Sequence, residues 1–218
     1  MPPEDWPQYE LAWAEYQRQW QLMDTYLYRM CQEYPDHAAL DVVQMKVLII
    51  ARTYMAGLER SANKGDGQAI QRVAQQIYAQ QHEIVPIFAT LTMIAEPLSP
   101  QTLATIVQLH GAFNRFLTTA RQPSGQLLLF RNVRSFASKY LHFHCPAVPI
   151  YDSIAANRLD QWYQGQPSYK VCDLDDADQY YYWFCMRFWQ YYQAAPSEGK
   201  TVKRLDNYLL WGHYDAFS

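Results

Sequence analysis

The segment Ser135–Asp152, SFASKYLHFHCPAVPIYD, decides the fold. Its first ten residues contain no glycine or proline, so a helix running from Asn132 to His144 meets no breaker until Pro146, which cannot continue it. Lys139 then lies one helical turn after Ser135, on the same face. His142 and His144, two residues apart, point to different sides of that helix, so the HxHC run is not a metal site on regular helix. One histidine is expected half-buried and the other exposed beside a basic surface. After the apolar run VPIY, Asp152 stands where a new helix starts. Aspartate is a favoured N-cap because its carboxylate accepts backbone N–H groups two or three residues on.

The rest of the chain reads the same way. Trp6, Tyr9, Trp13, Tyr16, Trp20, Met23 and Leu27 recur at steps of three and four, which predicts one long helix over 4–34, ended by Pro35. Residues 38–62 are apolar nearly all round and predict the central buried helix. NKGDG (63–67) is a turn. Helices follow over 68–82 and 84–95, the second tolerating Pro86 in its first turn. Ser99 is the expected N-cap of a helix from Pro100 to about Ala120. RQPSG (121–125) is a loop, and LLLF (127–130) is either a helical turn or a buried strand. The helix from Asp152 ends in the stretch Gly165–Ser168. Asp173, Asp175, Asp176 and Asp178 lack the glycine and distal glutamate of a calcium loop and read as the acidic first turn of an aromatic helix to about Tyr192. At helical spacing Tyr181, Phe184, Phe188 and Tyr192 are core; the alternative is a surface stacking on a flipped base. Lys200–Trp211 is the last helix. Neither a repeat nor a long linker divides residues 1–218, so the expectation is a single all-α domain of eight to ten helices.

Composition limits the function classes. Half the residues are hydrophobic and 18% charged, which excludes a disordered chain. No run is long and apolar enough for a transmembrane helix, and MPPEDWPQYE is unlike a signal peptide. Cys31, Cys145, Cys172 and Cys185 show no CxxC spacing and read as reduced, buried thiols of a cytoplasmic protein. No cofactor or metal is called for. Net charge is −3, yet Pro97–Tyr151 contains no Asp or Glu and carries Arg115, Arg121, Arg131, Arg134 and Lys139, leaving −8 on the remainder. Such a block is either an electrostatic footprint for an anion or a set of scattered solvated cations.

Ala137, Ser138, Tyr140 and Leu141, followed by Ile150, Tyr151 and Asp152, resemble the catalytic segment of the helix-hairpin-helix DNA glycosylases, closest to the 8-oxoguanine glycosylase-like branch. There a lysine-bearing helix leads through a short loop to a hydrophobic-hydrophobic-Asp motif. KVLIIARTYMAGLER (46–60) and RLDNYLLW (204–211) resemble uncharacterised bacterial members of the group. The likeness spans about a third of the chain. It implies the glycosylase fold, DNA as partner, and Asp152 and Lys139 as catalytic residues. It also implies Arg131, Asn132, Arg134, Ser135 and His142 at the nucleic acid.

The departures are specific. The alignment puts Ser135 where the family has its lysine. The hairpin segment FRNVRS (130–135) has no glycine, so Asn132 would have to adopt the left-handed turn, with Arg131 and Arg134 supplying charge. Cleaving a glycosidic bond develops positive charge on the sugar, which Asp152 would stabilise. Lys139 adds covalent chemistry only as a neutral amine. Two functions remain open: a DNA-binding, glycosylase-like protein with altered or absent catalysis, or a non-enzymatic helical module for a protein partner.

Overall fold

The computed structural model describes residues 6–62, 68–121, 124–129, 131–164 and 178–211. These form ten α-helices: α1 (Pro7–Gln19), α2 (Gln21–Glu33), α3 (Leu40–Arg52), α4 (Ala69–Ala79), α5 (Gln81–Leu91), α6 (Pro100–Thr119), α7 (Arg134–His144), α8 (Ser153–Trp162), α9 (Gln179–Ala194) and α10 (Val202–Leu210). Among the described residues there is no strand, only an isolated antiparallel bridge between Arg121 and Leu127. Leu128 and Leu129 are buried beside it outside any helix. No described helix is long and apolar enough to cross a membrane.

The central element is α7, not α3. It packs on α2, α3, α5 and α6, and its eight consecutive residues Phe136–Phe143 are all buried. The helix α3 buries Val43, Val47 and Ile50 but leaves Met45 and Leu48 45% and 43% exposed. A sequence window cannot tell an apolar surface residue from a core one, and α3 carries both. From Tyr9 to Leu209 the buried apolar side chains form one continuous core. Tyr181, Phe184, Phe188 and Tyr192 lie in it, as their spacing predicts.

The predicted boundaries fail where tertiary contacts compete with periodicity. The N-terminal helix breaks at Trp20, which lets α1 lie on α10 while α2 lies on α7. The helix expected over 38–62 stops at Arg52. There Met55 (φ 48°) and Gly57 (φ 68°) turn the chain through left-handed conformations that helical residues do not adopt. Pro86 sits inside α5 because that helix begins at Gln81. By contrast Ser99 caps α6 as expected, in a reciprocal capping box with Thr102. The expected NKGDG turn, the Gly165–Ser168 stop, Cys172 and Asp173–Asp176 lie outside the described residues.

Candidate functional site

The turn between α7 and α8 is pegged to α7 along its length. The Tyr151 N–H donates to the Ser138 hydroxyl at 2.9 Å, and that hydroxyl donates to the Ser135 carbonyl. His142 Nδ1–H donates to the Val148 carbonyl at 2.8 Å. From α9, the Tyr181 hydroxyl donates to the Pro149 carbonyl at 2.7 Å. Held this way, Asp152 caps α8 as its position predicts, Oδ1 accepting the Ile154 N–H at 2.9 Å. Its second oxygen, Oδ2, stands 3.3 Å from Lys139 Nζ. The lysine also donates to the Tyr54 carbonyl at 2.9 Å, which the left-handed turn at Met55 presents. Thirteen residues apart in sequence, Lys139 and Asp152 form an ion pair with side chains 8% and 22% exposed. The carboxylate is therefore the half of the pair that meets solvent.

Behind the pair lies a buried polar cluster that the sequence did not announce. Asp24, 1% exposed, accepts the hydroxyls of Tyr16 and Tyr54 and pairs with Lys203 Nζ at 2.9 Å. Tyr54 thus touches Lys139 through its carbonyl and Asp24 through its hydroxyl. Asp206 on α10 is 3% exposed, and its Oδ1 has no hydrogen-bond partner among the described residues. Burial pushes its carboxyl up to about 7; Lys203 and Lys139 oppose the rise, and Asp152 and Asp24 add to it. Helical spacing hides these residues: acids inside amphipathic stretches read as solvated faces. The one visible signal is Asp24 falling three to four residues from the buried Leu27 and from the aromatic stripe.

The remaining predicted residues divide by exposure. Arg131 and Asn132 are exposed. Asn132 is not left-handed; Met55 and His37 are the described non-glycine residues with positive φ. It instead accepts the Arg134 N–H at 2.8 Å, opening α7 with an Asx turn. Arg134 forms a two-pronged pair with Asp178, 2.8 Å on each side, and Asn132 donates to the same carboxylate. Asp178 in turn caps α9. A phosphate would reach Arg134 only by displacing that carboxylate. Ser135 is half-buried on α7, and Lys139 rather than Ser135 stands at Asp152. Asp152 directly follows the acid-free window and Asp178 lies further along the chain, so folding returns carboxylates to at least two of its five cations.

His142, expected at the nucleic acid, is wholly buried. Both ring nitrogens are engaged within the fold, by Tyr28 and Val148. Burial, with Lys203 nearby, lowers its pKa to about 3, so it is neutral and carries no charge for a phosphate. His144 is half-buried among His37, Phe88 and Tyr140, so neither histidine is exposed. Cys31, Cys145 and Cys185 are buried free thiols. Among the described residues no three His, Cys, Asp or Glu side chains gather as a metal-holding group. A shallow concavity lined by Glu83, Ile87, Ala112, Arg115, Phe116 and Thr119 lies between α5 and α6 and includes neither Lys139 nor Asp152. No known protein family, curated protein or solved structure matches the chain.

Proposed function

We propose that this protein binds DNA and acts on a glycosidic bond in the manner of a helix-hairpin-helix DNA glycosylase, with Lys139 and Asp152 as the reacting pair. The observation that carries this reading is the 3.3 Å approach of Lys139 Nζ to Asp152 Oδ2 at the rim of the fold. An oxocarbenium-like sugar needs a carboxylate beside it, and Asp152 offers one oxygen while the other caps α8. A lysine amine, once deprotonated, can attack C1′ of the sugar as the bond from C1′ to the base breaks, the base leaving with the bonding electrons and taking up a proton, to give a covalent sugar–lysine intermediate. The pair restores at Lys139 the lysine that the resemblance misses at Ser135. Arg131, exposed before α7, is the phosphate contact of this reading; Asn132 and Arg134 join it on release of Asp178.

A second reading, a protein-interaction module, is favoured by one observation: Leu11, Leu22 and Tyr26 on α1 and α2 are 60–71% exposed.

Binding to labelled duplexes, intact and carrying damaged bases, across a salt series tests the first reading. Strand cleavage after alkali and borohydride trapping are read in the same samples. Expected are affinity that falls steeply with salt, lesion-dependent cleavage, and a trapped adduct at Lys139. Absence of binding at low salt would overturn the reading and favour the module.

A further inference from the structure

Asp24 and Lys139 are joined through a single residue, Tyr54, which lies just past the end of α3. Its N–H still donates to the Ile49 carbonyl of that helix, but its own carbonyl lies beyond the helical ladder and is left for another donor. Met55, at φ 48°, turns the chain there. The Tyr54 carbonyl meets Lys139 Nζ at 2.9 Å, nearer than Asp152 Oδ2 at 3.3 Å. At its other end the Tyr54 hydroxyl donates to Asp24 Oδ1. Between the two ends the Tyr54 ring packs 5.0 Å from that of Phe143, centroid to centroid. Phe143 and Lys139 are four residues apart on α7 and so share one face of it. Tyr54 therefore grips α7 over two successive turns, with its ring at one and its carbonyl at the other.

The hydroxyl end of this strut is held inside the fold. Asp24, on α2, is 1% exposed. Its Oδ2 accepts the Tyr16 hydroxyl from α1 at 2.7 Å and lies 2.9 Å from Lys203 Nζ on α10. With both oxygens engaged and its charge matched by Lys203, the carboxylate is held in one orientation. Two side-chain torsions separate a phenol from its own backbone, so fixing the Tyr54 hydroxyl fixes the Tyr54 carbonyl. We infer that Asp24 is a positioning residue for Lys139, anchoring Tyr54 by its hydroxyl so that the Tyr54 carbonyl holds the amine against Asp152. What this placement does for cleavage rests on the glycosylase reading; the placement itself does not. Without the anchor the carbonyl drifts, and the amine follows the more exposed carboxylate of Asp152 toward solvent. A displacement of about 1 Å at a reacting atom costs up to about a hundredfold in rate.

Tyr16 supplies a matched control. Tyr16→Phe and Tyr54→Phe each remove one phenol oxygen from the same carboxylate, and of the two tyrosines it is Tyr54 that goes on to Lys139. The chain has six lysines, so selective carbon-13 labelling resolves their Cε signals, whose relaxation reads side-chain order without DNA. In the parent the Lys139 order parameter is expected in the rigid range, about 0.85, and in Tyr54→Phe below about 0.6. In Tyr16→Phe it is expected to stay rigid. On duplex DNA, borohydride trapping at Lys139 is expected to slow by roughly ten- to a hundredfold in Tyr54→Phe at unchanged duplex affinity, and to keep the parent rate in Tyr16→Phe. A rigid Lys139 in Tyr54→Phe, a mobile one in the parent, or equal loosening in both variants would overturn the inference. If Tyr54→Phe does not fold, Asp24→Asn decides: a mobile Lys139 supports the anchoring and a rigid one overturns it. If the parent traps no adduct, the glycosylase reading falls and the relaxation comparison decides the positioning by itself.

Discussion

Among the described residues two lysines are buried, on opposite sides of the logic of a site. Lys139 has a carboxylate partner, a backbone carbonyl and a route to solvent past Asp152. Lys46 on α3 is wholly buried. Its Nζ donates to the Tyr34 carbonyl at 2.6 Å and lies 3.5 Å from His144 Nε2, and among the described residues no ion pair compensates it. Burial accordingly lowers its pKa. A buried cation without a countercharge is a structural expense that reacts with nothing outside. The same cation paired at a partly open carboxylate is placed to meet a ligand. Burial alone does not mark a site; burial with a partner and an opening does.

The largest expected effect separates the two lysines by activity. Asp152→Asn keeps a capping oxygen but removes the negative charge, so glycosidic cleavage is expected to fall by roughly 10²–10⁴-fold, with thermal stability little changed. Lys139→Gln is expected to abolish borohydride trapping. Lys46→Met, which removes a buried charge of similar volume, is expected to leave cleavage and trapping at the parent level. Equal losses in Lys46→Met and Lys139→Gln would erase the distinction between the two.

The next effect concerns the cations that sequence alone placed on DNA. Arg134→Ala leaves Asp178 buried without its two-pronged partner and is expected to cost about 3 kcal/mol of stability, read as a lowered urea midpoint. Arg131→Ala is expected to leave that midpoint unchanged and to lower the salt slope of duplex binding by about one. A normal midpoint in Arg134→Ala would return that residue to the surface role its position in the acid-free window suggested.

Much of this was legible in the chain, and the reason differs by residue. The helices around Ser99–Thr119 and Asp178–Tyr192 follow from caps and periodicity, which are local. Asp152 as an N-cap is local too. The pairing of Lys139 with Asp152 was half-visible: both residues stood out, but Ser135 rather than Lys139 occupied the aligned position, and only the folded turn shows which side chain reaches. The pairings of Asp24 with Tyr54 and Lys203 and of Asp178 with Arg134 were not visible, because each joins residues at least 30 apart in the chain. Window statistics count charges along the chain, whereas folding pairs them across it.

Acid divides the two lysine environments by sign. His37 and the half-buried His144 beside Lys46 are neutral, as are the buried His110 and His142; burial lowers all four, His37 and His142 to about 3 and His110 to about 4. Below the ordinary histidine pKa of about 6.5 the unfolded chain takes up protons that the folded chain refuses, so stability falls as pH drops from there. Asp206 and Glu96 run the other way. With folded pKa values raised to about 7, they keep protons that the unfolded chain releases, and stability falls as pH rises from about 4 to 7. Four histidines outweigh two acids, so stability is expected to decline from pH 6.5 to 5.5 by about 1–2 kcal/mol, read as a lower denaturation midpoint. His144→Phe is expected to flatten the acid limb, and Asp206→Asn to raise stability at pH 8 more than at pH 5. An acid limb unchanged in His144→Phe would place the proton uptake away from Lys46.

The smallest effect tests how each lysine's carbonyl acceptor is held. Both acceptors belong to turns containing a left-handed non-glycine residue: Met55 (φ 48°) directly after Tyr54, and His37 (φ 59°) shortly after Tyr34. Glycine relieves the strain at either position, by roughly 1 kcal/mol, and returns a similar amount through the greater freedom of the unfolded chain. The difference lies in the side chains. Met55 is 66% exposed and loses little packing, so Met55→Gly is expected to shift stability by less than about 1 kcal/mol. His37 packs its ring 4.5 Å from Phe88 and 5.0 Å from His144, centroid to centroid, so His37→Gly adds a cavity and is expected to cost about 2 kcal/mol or more. Met55→Val, a β-branched side chain forced to positive φ, is expected to be less stable than Met55→Gly and to slow trapping at Lys139 as the Tyr54 carbonyl shifts. Equal trapping rates in the two Met55 variants would mean that Asp152, and not the turn, holds the amine in place.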